Sequence, residues 1–147
     1  MNVTDIDVLS IIPQRPPFVM VSKLLNVDEK SVCAELIITA DNIFAQNGIF
    51  VEAGIIEHIA QTCAAGMGYV NVCTCQNTVK IGFLSAIRNL TINRLPKVGE
   101  TLTTCVAIVE FVMGMALIEA KVKINNKTLA EGEMKIFITD IDNENNT

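Results

Sequence analysis

The sequence predicts an α+β domain in which an antiparallel β-sheet wraps around one long central helix, and three observations lead there. Residues 51–72 form one long run that is apolar at nearly every position, with its polar members Glu57, His58, Gln61 and Thr62 gathered together. A helix apolar almost all round is buried by its own protein rather than laid on its surface. From Val79 onward the chain reads as long β-rich runs joined by short turns. No second long helix is available to cover the first, so a curved sheet must do it. One sheet hides only part of a helix's circumference, which makes a dimer the expectation.

Each element follows from its own residues. At the start, Thr4 as a cap, Asp5 and Asp7 in the first turn and the apolar Ile6, Leu9, Ile11 and Ile12 predict a short helix that Pro13 ends. Pro13-Gln14-Arg15-Pro16-Pro17-Phe18 is too rich in proline for helix or central strand, so it is a stiff extended connection that fixes where Gln14 and Arg15 point. Residues 19–27 and 31–40 are β-branched and partly alternating around Asp28-Glu29-Lys30, the pattern of a hairpin. Residues 41–50 carry the turn formers Asn42, Asn47 and Gly48. In the central helix, Gly66 and Gly68 either weaken its last turns or admit another backbone. The strands expected after it cover 79–94, with Gly82 as a candidate bulge, then 101–112, 115–124 and 128–139. Residues 96–100, Met113-Gly114 and Asn125-Asn126-Lys127 turn the chain between them.

Composition bounds the rest. A chain of 147 residues, half of them hydrophobic, suits one domain, here 1–140, followed by an acidic, Asn-rich tail at 141–147 that is expected to fray. A formal net charge of -5 without any Lys/Arg cluster offers no electrostatic footprint for nucleic acid or an anionic membrane. The opening MNVTDIDVLS has no basic region before an apolar core, and no apolar run reaches the ~18 to 20 uncharged residues a bilayer needs, so a cytoplasmic protein is expected. Five cysteines at 33, 63, 73, 75 and 105 are expected to be reduced, mostly buried small hydrophobes. Cys73-Thr74-Cys75 lacks the spacing and the second pair of a zinc site, and neither a metal nor a cofactor is expected.

The acid in the helix raises the chemical question. No Lys or Arg occurs from Ser31 through Val79, so a Glu57 carboxylate in a low-dielectric setting must keep its proton or borrow a distant donor, which marks it as a functional candidate. The plainer alternative is a solvent-filled groove, or a structural pairing with Arg15 or Arg88. Residues 57 and 61 lie one turn apart on one helix face, whereas 57 and 58 are roughly 100° apart. Gln61 is therefore the expected companion of Glu57, holding its carboxyl in one rotamer. His58 is read as a satisfied buried or interface histidine, with a role in the site as the alternative.

These stretches carry a resemblance. Pro13-Gln14-Arg15-Pro16-Pro17-Phe18 followed by Val21, Glu57-His58-Ile59-Ala60-Gln61 on the helix, then Ile81-Gly82-Phe83-Leu84 and Arg88, resemble the hotdog-fold β-hydroxyacyl-(acyl carrier protein) dehydratases over roughly residues 8–139. The resemblance implies the hotdog fold, a dimer that joins two sheets, and acyl-thioester sites at the dimer interface. It also implies a catalytic pair: a His from the Pro-x-Arg segment of one subunit and a Glu from the helix of the other. Glu57 falls on the helix position, but the His position holds Gln14. Dehydration needs a base for the proton beside the thioester carbonyl and an acid for the leaving hydroxyl, and an amide is neither. Gly54, three residues before Glu57, is the candidate for a backbone donor near the carbonyl.

Three functions follow. The chain is a (3R)-hydroxyacyl thioester dehydratase with Glu57 as principal acid/base and Gln14 as a polar orienter. Alternatively it is a hotdog thioesterase in which Glu57 activates water. The third is a catalytically weak acyl-binding subunit that pairs with a His-bearing relative, so that a mixed dimer keeps one complete site. In each case the partner is an acyl carrier protein or CoA thioester. Phe18, Phe50, Phe83, Leu84 and the Met67 region are candidates to line a tunnel for a medium or long acyl chain, or are plain core, as are Phe111 and Met113 to Met115. Arg88, Arg94 and Lys97 are candidates for carrier docking, or ordinary solvated charge.

Overall fold

The computed structural model describes residues 2–75 and 79–141. The acidic tail beyond Ile141 lies outside the described residues. The main sheet contains β1 (Lys23–Val27), β2 (Ser31–Ile37), β5 (Val79–Ile92), β6 (Thr101–Val112), β7 (Met115–Ile124) and β8 (Lys127–Ile141). Its spatial order is β1-β2-β6-β7-β8-β5 with every neighbouring pair antiparallel, and β3 (Ala45–Gln46) with β4 (Ile49–Phe50) forms a small separate ribbon. One helix, α1 (Glu52–Cys73), packs against the inner face, touching β1, β2, β5 and β6. The hotdog arrangement expected from the sequence is the one observed.

Alternation decides which side chains meet the helix. Leu102, Thr104 and Val106 of β6 and Ala116, Ile118, Ala120 and Val122 of β7 are buried, and Ile55 and Ile59 of α1 are buried with them. Ala34, Ala116, Ala120 and Ala130 keep the sheet's inner face low, which leaves room for α1 to lie close. Three pairs with positive φ close the tight connections: Asn47-Gly48 (53° and 78°), Met113-Gly114 (52° and 77°) and Asn125-Asn126 (50° and 64°). Two successive residues with positive φ form the type I′ turn that matches strand twist, and Asn and Gly adopt it at least cost.

Several expectations need correction. The N-terminal helix is two 3₁₀ turns, Val3–Asp5 and Val8–Ser10; Thr4 is not a cap, and Asp7 caps the second turn by accepting from the Leu9 N–H at 3.0 Å. So short a segment before Pro13 cannot repay helix nucleation. Gly82 is not a bulge, since it pairs regularly with Ile138; the irregularities of β5 fall at 84/86 and 88/91, the second including Asn89 with φ 52°. The cysteines are not all reduced. Cys33 and Cys105 stand directly opposite on β2 and β6, with Cα atoms 4.1 Å apart, and form a disulfide. Their separation of 72 residues left no spacing signal in the sequence. Of the other three, Cys63 is buried while Cys73 and Cys75 are exposed.

The glycine near the end of α1 has a clear reason. A Cβ at Gly68 would collide with the carbonyl oxygen of Ile11, so the helix there admits the N-terminal backbone. Gly68→Ala is expected to destabilise the protein by about 1–3 kcal/mol, the range for overpacking, with the loss read from denaturant unfolding.

Candidate active site

Residues 18–20 run past the middle of α1 without joining a strand, and helix side chains take over their main-chain bonding. Gln61 Oε1 accepts the Met20 N–H at 2.6 Å, and Gln61 Nε2 donates to the Phe18 carbonyl at 2.7 Å and to Glu57 Oε1 at 2.8 Å. His58 completes the set. Its Nδ1 lies 2.7 Å from the Met20 carbonyl and its Nε2 lies 2.8 Å from Thr104 Oγ1. A carbonyl only accepts, so Nδ1 carries the proton and donates to Met20, while Nε2 accepts from the Thr104 hydroxyl. His58 is fully buried, and desolvation pulls its pKa down to about 4 against the weaker opposing pull of the Met20 bond. At neutral pH it is an uncharged structural histidine with both nitrogens occupied.

Glu57 is different. It is half-buried, and Gln61 orients its carboxyl one turn away, the companion its spacing predicts. No cation pairs with it among the described residues. Arg15 donates instead to the carbonyls of Ile12 and Gln14, at 2.9 and 2.8 Å, and Arg88 lies on β5 opposite Glu133.

Glu57 and Gln14 of the same chain line one cavity of about 130 Å3. Pro13 stands beside Gln14 at its edge; Ala60, Cys63, Ala64 and Met67 carry the helix wall down from Glu57; and Ile81, Gly82 and Leu84 of β5 with Ile136 of β8 form the opposite side. Positions 57, 60, 64 and 67 share one helical face, and the two alanines open the space beneath the acid. Gln14 Oε1 is itself buried and has no hydrogen-bond partner among the described residues. A buried acceptor without a donor costs free energy, so the amide is held in place by the fold around it and not by a bond of its own oxygen. Cys63 adds no proton carrier, because burial pushes its thiol up to about 11.

The remaining candidates lie elsewhere. Gly54 is buried outside the cavity, its N–H donates to the Val51 carbonyl at 3.0 Å, and a Cβ there would overlap the Phe50 ring and Phe44. Its smallness serves packing, and Phe50 is core. Phe18 contributes its carbonyl to Gln61 while its ring is exposed. Phe83 is exposed and, by alternation, lies on the opposite face of β5 from Gly82 and Leu84. Arg94 is held in a two-pronged pair with Glu100, both distances 2.8 Å, and that pair together with the Lys97 N–H holds the Glu100 carboxyl down at about 2. Sequence reasoning missed Thr104, the Met20 backbone, Ala60, Ala64 and Ile136. Only the two alanines left a signal, by sharing the face of Glu57.

The ApeP-like family, described as ApeP dehydratase, matches residues 6–146. The chain belongs to the ApeP-like dehydratase family. Its curated relatives include the 3-hydroxyacyl-(acyl-carrier-protein) dehydratase FabZ of Acetivibrio thermocellus, 27% identical over 144 residues and covering 93% of this chain and 95% of that one. The same-named enzyme of Clostridioides difficile is 26% identical over 142 residues, covering 91% and 96%. Among solved structures, the dehydratase heterocomplex ApeI:P from Xenorhabdus doucetiae superposes with a TM-score of 0.84 at 16% identity, over 94% of this chain and 93% of that one. A thioesterase from Pseudomonas aeruginosa shares the fold more loosely, with a TM-score of 0.61 at 9% identity over 81% of each. One fold is thus shared with a dehydratase complex and with a thioesterase, so the fold alone does not select an activity.

The buried His58 makes stability depend on pH. Its folded pKa lies below the unfolded value, so its contribution is complete above about pH 6.5 and is lost as pH falls toward 4. At pH 4 the loss is expected to reach about 3 kcal/mol, and His58→Gln should flatten that part of the stability profile measured by unfolding between pH 7 and 4.

Proposed function

We propose that this chain supplies the acid half of a 3-hydroxyacyl thioester dehydratase site, with the proton-carrying histidine brought by a related chain in a mixed dimer. The observation that carries this reading is that the cavity is lined by one carboxyl, Glu57, and by an amide, Gln14, while the histidine next in sequence is locked away by Met20 and Thr104. Elimination of water moves two protons. One leaves the carbon beside the thioester carbonyl, and one must reach the departing hydroxyl. Glu57, steadied by Gln61, gives its proton to the hydroxyl, and the partner's histidine takes the other.

Two features support a partner. β5 is one of the sheet's two edge strands, and its Ile81, Gly82 and Leu84 flank the cavity, so a strand added along β5 brings new side chains over the site. The Xenorhabdus doucetiae neighbour is itself a dehydratase heterocomplex. A second reading, thioester hydrolysis with Glu57 activating water, draws on the same single carboxyl.

Enoyl-thioester hydration and thioester cleavage, measured on the chain alone and after co-folding with a His-bearing FabZ-type dehydratase, separate the readings. Little hydration alone, gained on mixing and lost with Glu57→Gln by about 100-fold or more, is the expected result. Gln14→His should let the chain hydrate enoyl thioesters by itself. Full hydration alone that survives Glu57→Gln overturns the proposal; cleavage without hydration selects the thioesterase.

A further inference from the structure

The sheet's outer face, away from the Glu57 cavity, carries one reactive pair. Val32 and Ala34 of β2 and Thr104 and Val106 of β6 are buried, so alternation turns Cys33 and Cys105 between them to the other face. Cys105 is exposed there and Cys33 partly so, which leaves their disulfide open to an incoming thiol. Register extends the row with Asn26 of β1 beside Cys33, Lys121 of β7 beside Cys105, and Glu131 of β8 beyond, all three exposed. An ammonium next to a cysteine favours its thiolate, and the thiol of lower pKa is the better leaving group. Disulfides that solvent reaches are the labile and regulatory ones, in contrast to those sealed in a core.

Directly behind the pair lies the tether that seats residues 18–20. Thr104, next to Cys105 and opposite Ala34 in the ladder, gives its hydroxyl to His58 Nε2 at 2.8 Å, and His58 Nδ1 holds the Met20 carbonyl at 2.7 Å. The β2–β6 ladder runs unbroken from Ser31 opposite Ala107 to Ile37 opposite Thr101, so the two strands stay paired when the bond opens. What the bond adds is a covalent limit on how far they part beside Thr104.

We propose that Cys33–Cys105 is a dithiol–disulfide exchange site, and that its oxidised form pins β6 beneath the Thr104–His58–Met20 tether. A thiolate of an external dithiol attacks Cys33 Sγ; the Cys33–Cys105 bond breaks and Cys105 leaves as a thiolate beside Lys121. The dithiol's second thiol then attacks the reagent sulfur bound to Cys33, which frees Cys33 and closes the reagent into its own disulfide. Two electrons pass from the dithiol to the protein, and the dithiol's two protons end on Cys33 and Cys105. With both thiols free, residues 18–20 open from α1 more often while the fold persists.

The full chain, equilibrated first with oxidised and then with reduced dithiothreitol in the absence of denaturant, is alkylated and weighed intact at each stage. Reduction is expected to expose two further thiols, mapped to Cys33 and Cys105, with an unchanged circular dichroism spectrum. Cys73 and Cys75, already exposed, alkylate at both stages. Amide exchange followed by NMR reads the consequence: the Met20 N–H is expected to exchange about tenfold faster after reduction, with no comparable change at Ile118 of β7. Cys33→Ser combined with Cys105→Ser should exchange like the reduced chain, and the reduced chain carries the test if that variant fails to fold. A pair that will not oxidise, or that opens only in denaturant, overturns the proposal. So does an unchanged Met20, or equal acceleration at Met20 and Ile118, which would make the bond a brace for the whole fold.

Discussion

Everything at the site depends on how two side chains on one stretch of helix replace the hydrogen bonds that residues 18–20 would otherwise find in a strand. Gln61 and His58 together occupy the Phe18 carbonyl, the Met20 N–H and the Met20 carbonyl, and Gln61 has one N–H left for Glu57. Buried polar groups left unpaired cost about 1–3 kcal/mol each, so these bonds cannot be relaxed independently. They seat the proline-rich segment against α1, and Gln14 lies four residues upstream of Phe18 in that segment. The geometry between Gln14 and Glu57 is therefore inherited from bonds made by neither.

That dependence explains why two adjacent titratable residues have such different environments. One helical step carries His58 inward, where desolvation keeps it neutral and Thr104 occupies its second nitrogen. The same step leaves Glu57 facing a cavity with Gln61 as its donor and, among the described residues, no cation paired with it. His58 is unavailable as a base because Met20 and Thr104 occupy both of its ring nitrogens.

The large features were legible from pattern: the long apolar helix and the strands and turns after Val79 lie close to their expected bounds, whereas the first strand of the hairpin around Asp28 begins at Lys23 and not at Val19, because α1 side chains take the bonds of residues 18–20. The Glu57–Gln61 pairing was legible too, because helical spacing alone makes i and i+4 neighbours. What pattern could not supply was anything set by long-range register. The Cys33–Cys105 bond and the partner of His58 on β6 arise from residues 72 and 46 positions apart, and nothing local announces either. Gly54 shows a different limit, since its place before the acid suggests chemistry while its surroundings, Phe50 and Phe44, explain it as a packing requirement.

The outermost strand carries one last implication. Main-chain pairing along an open border is blind to the identity of the chain that arrives, because every residue except proline offers the same amide and carbonyl. In the mixed dimer proposed above, selectivity between a twin and a cousin then comes from the apolar side chains displayed there, Phe83, Leu84 and Ile87, all of which are exposed. Their shapes, rather than the acid in the cavity, choose the partner in that proposal.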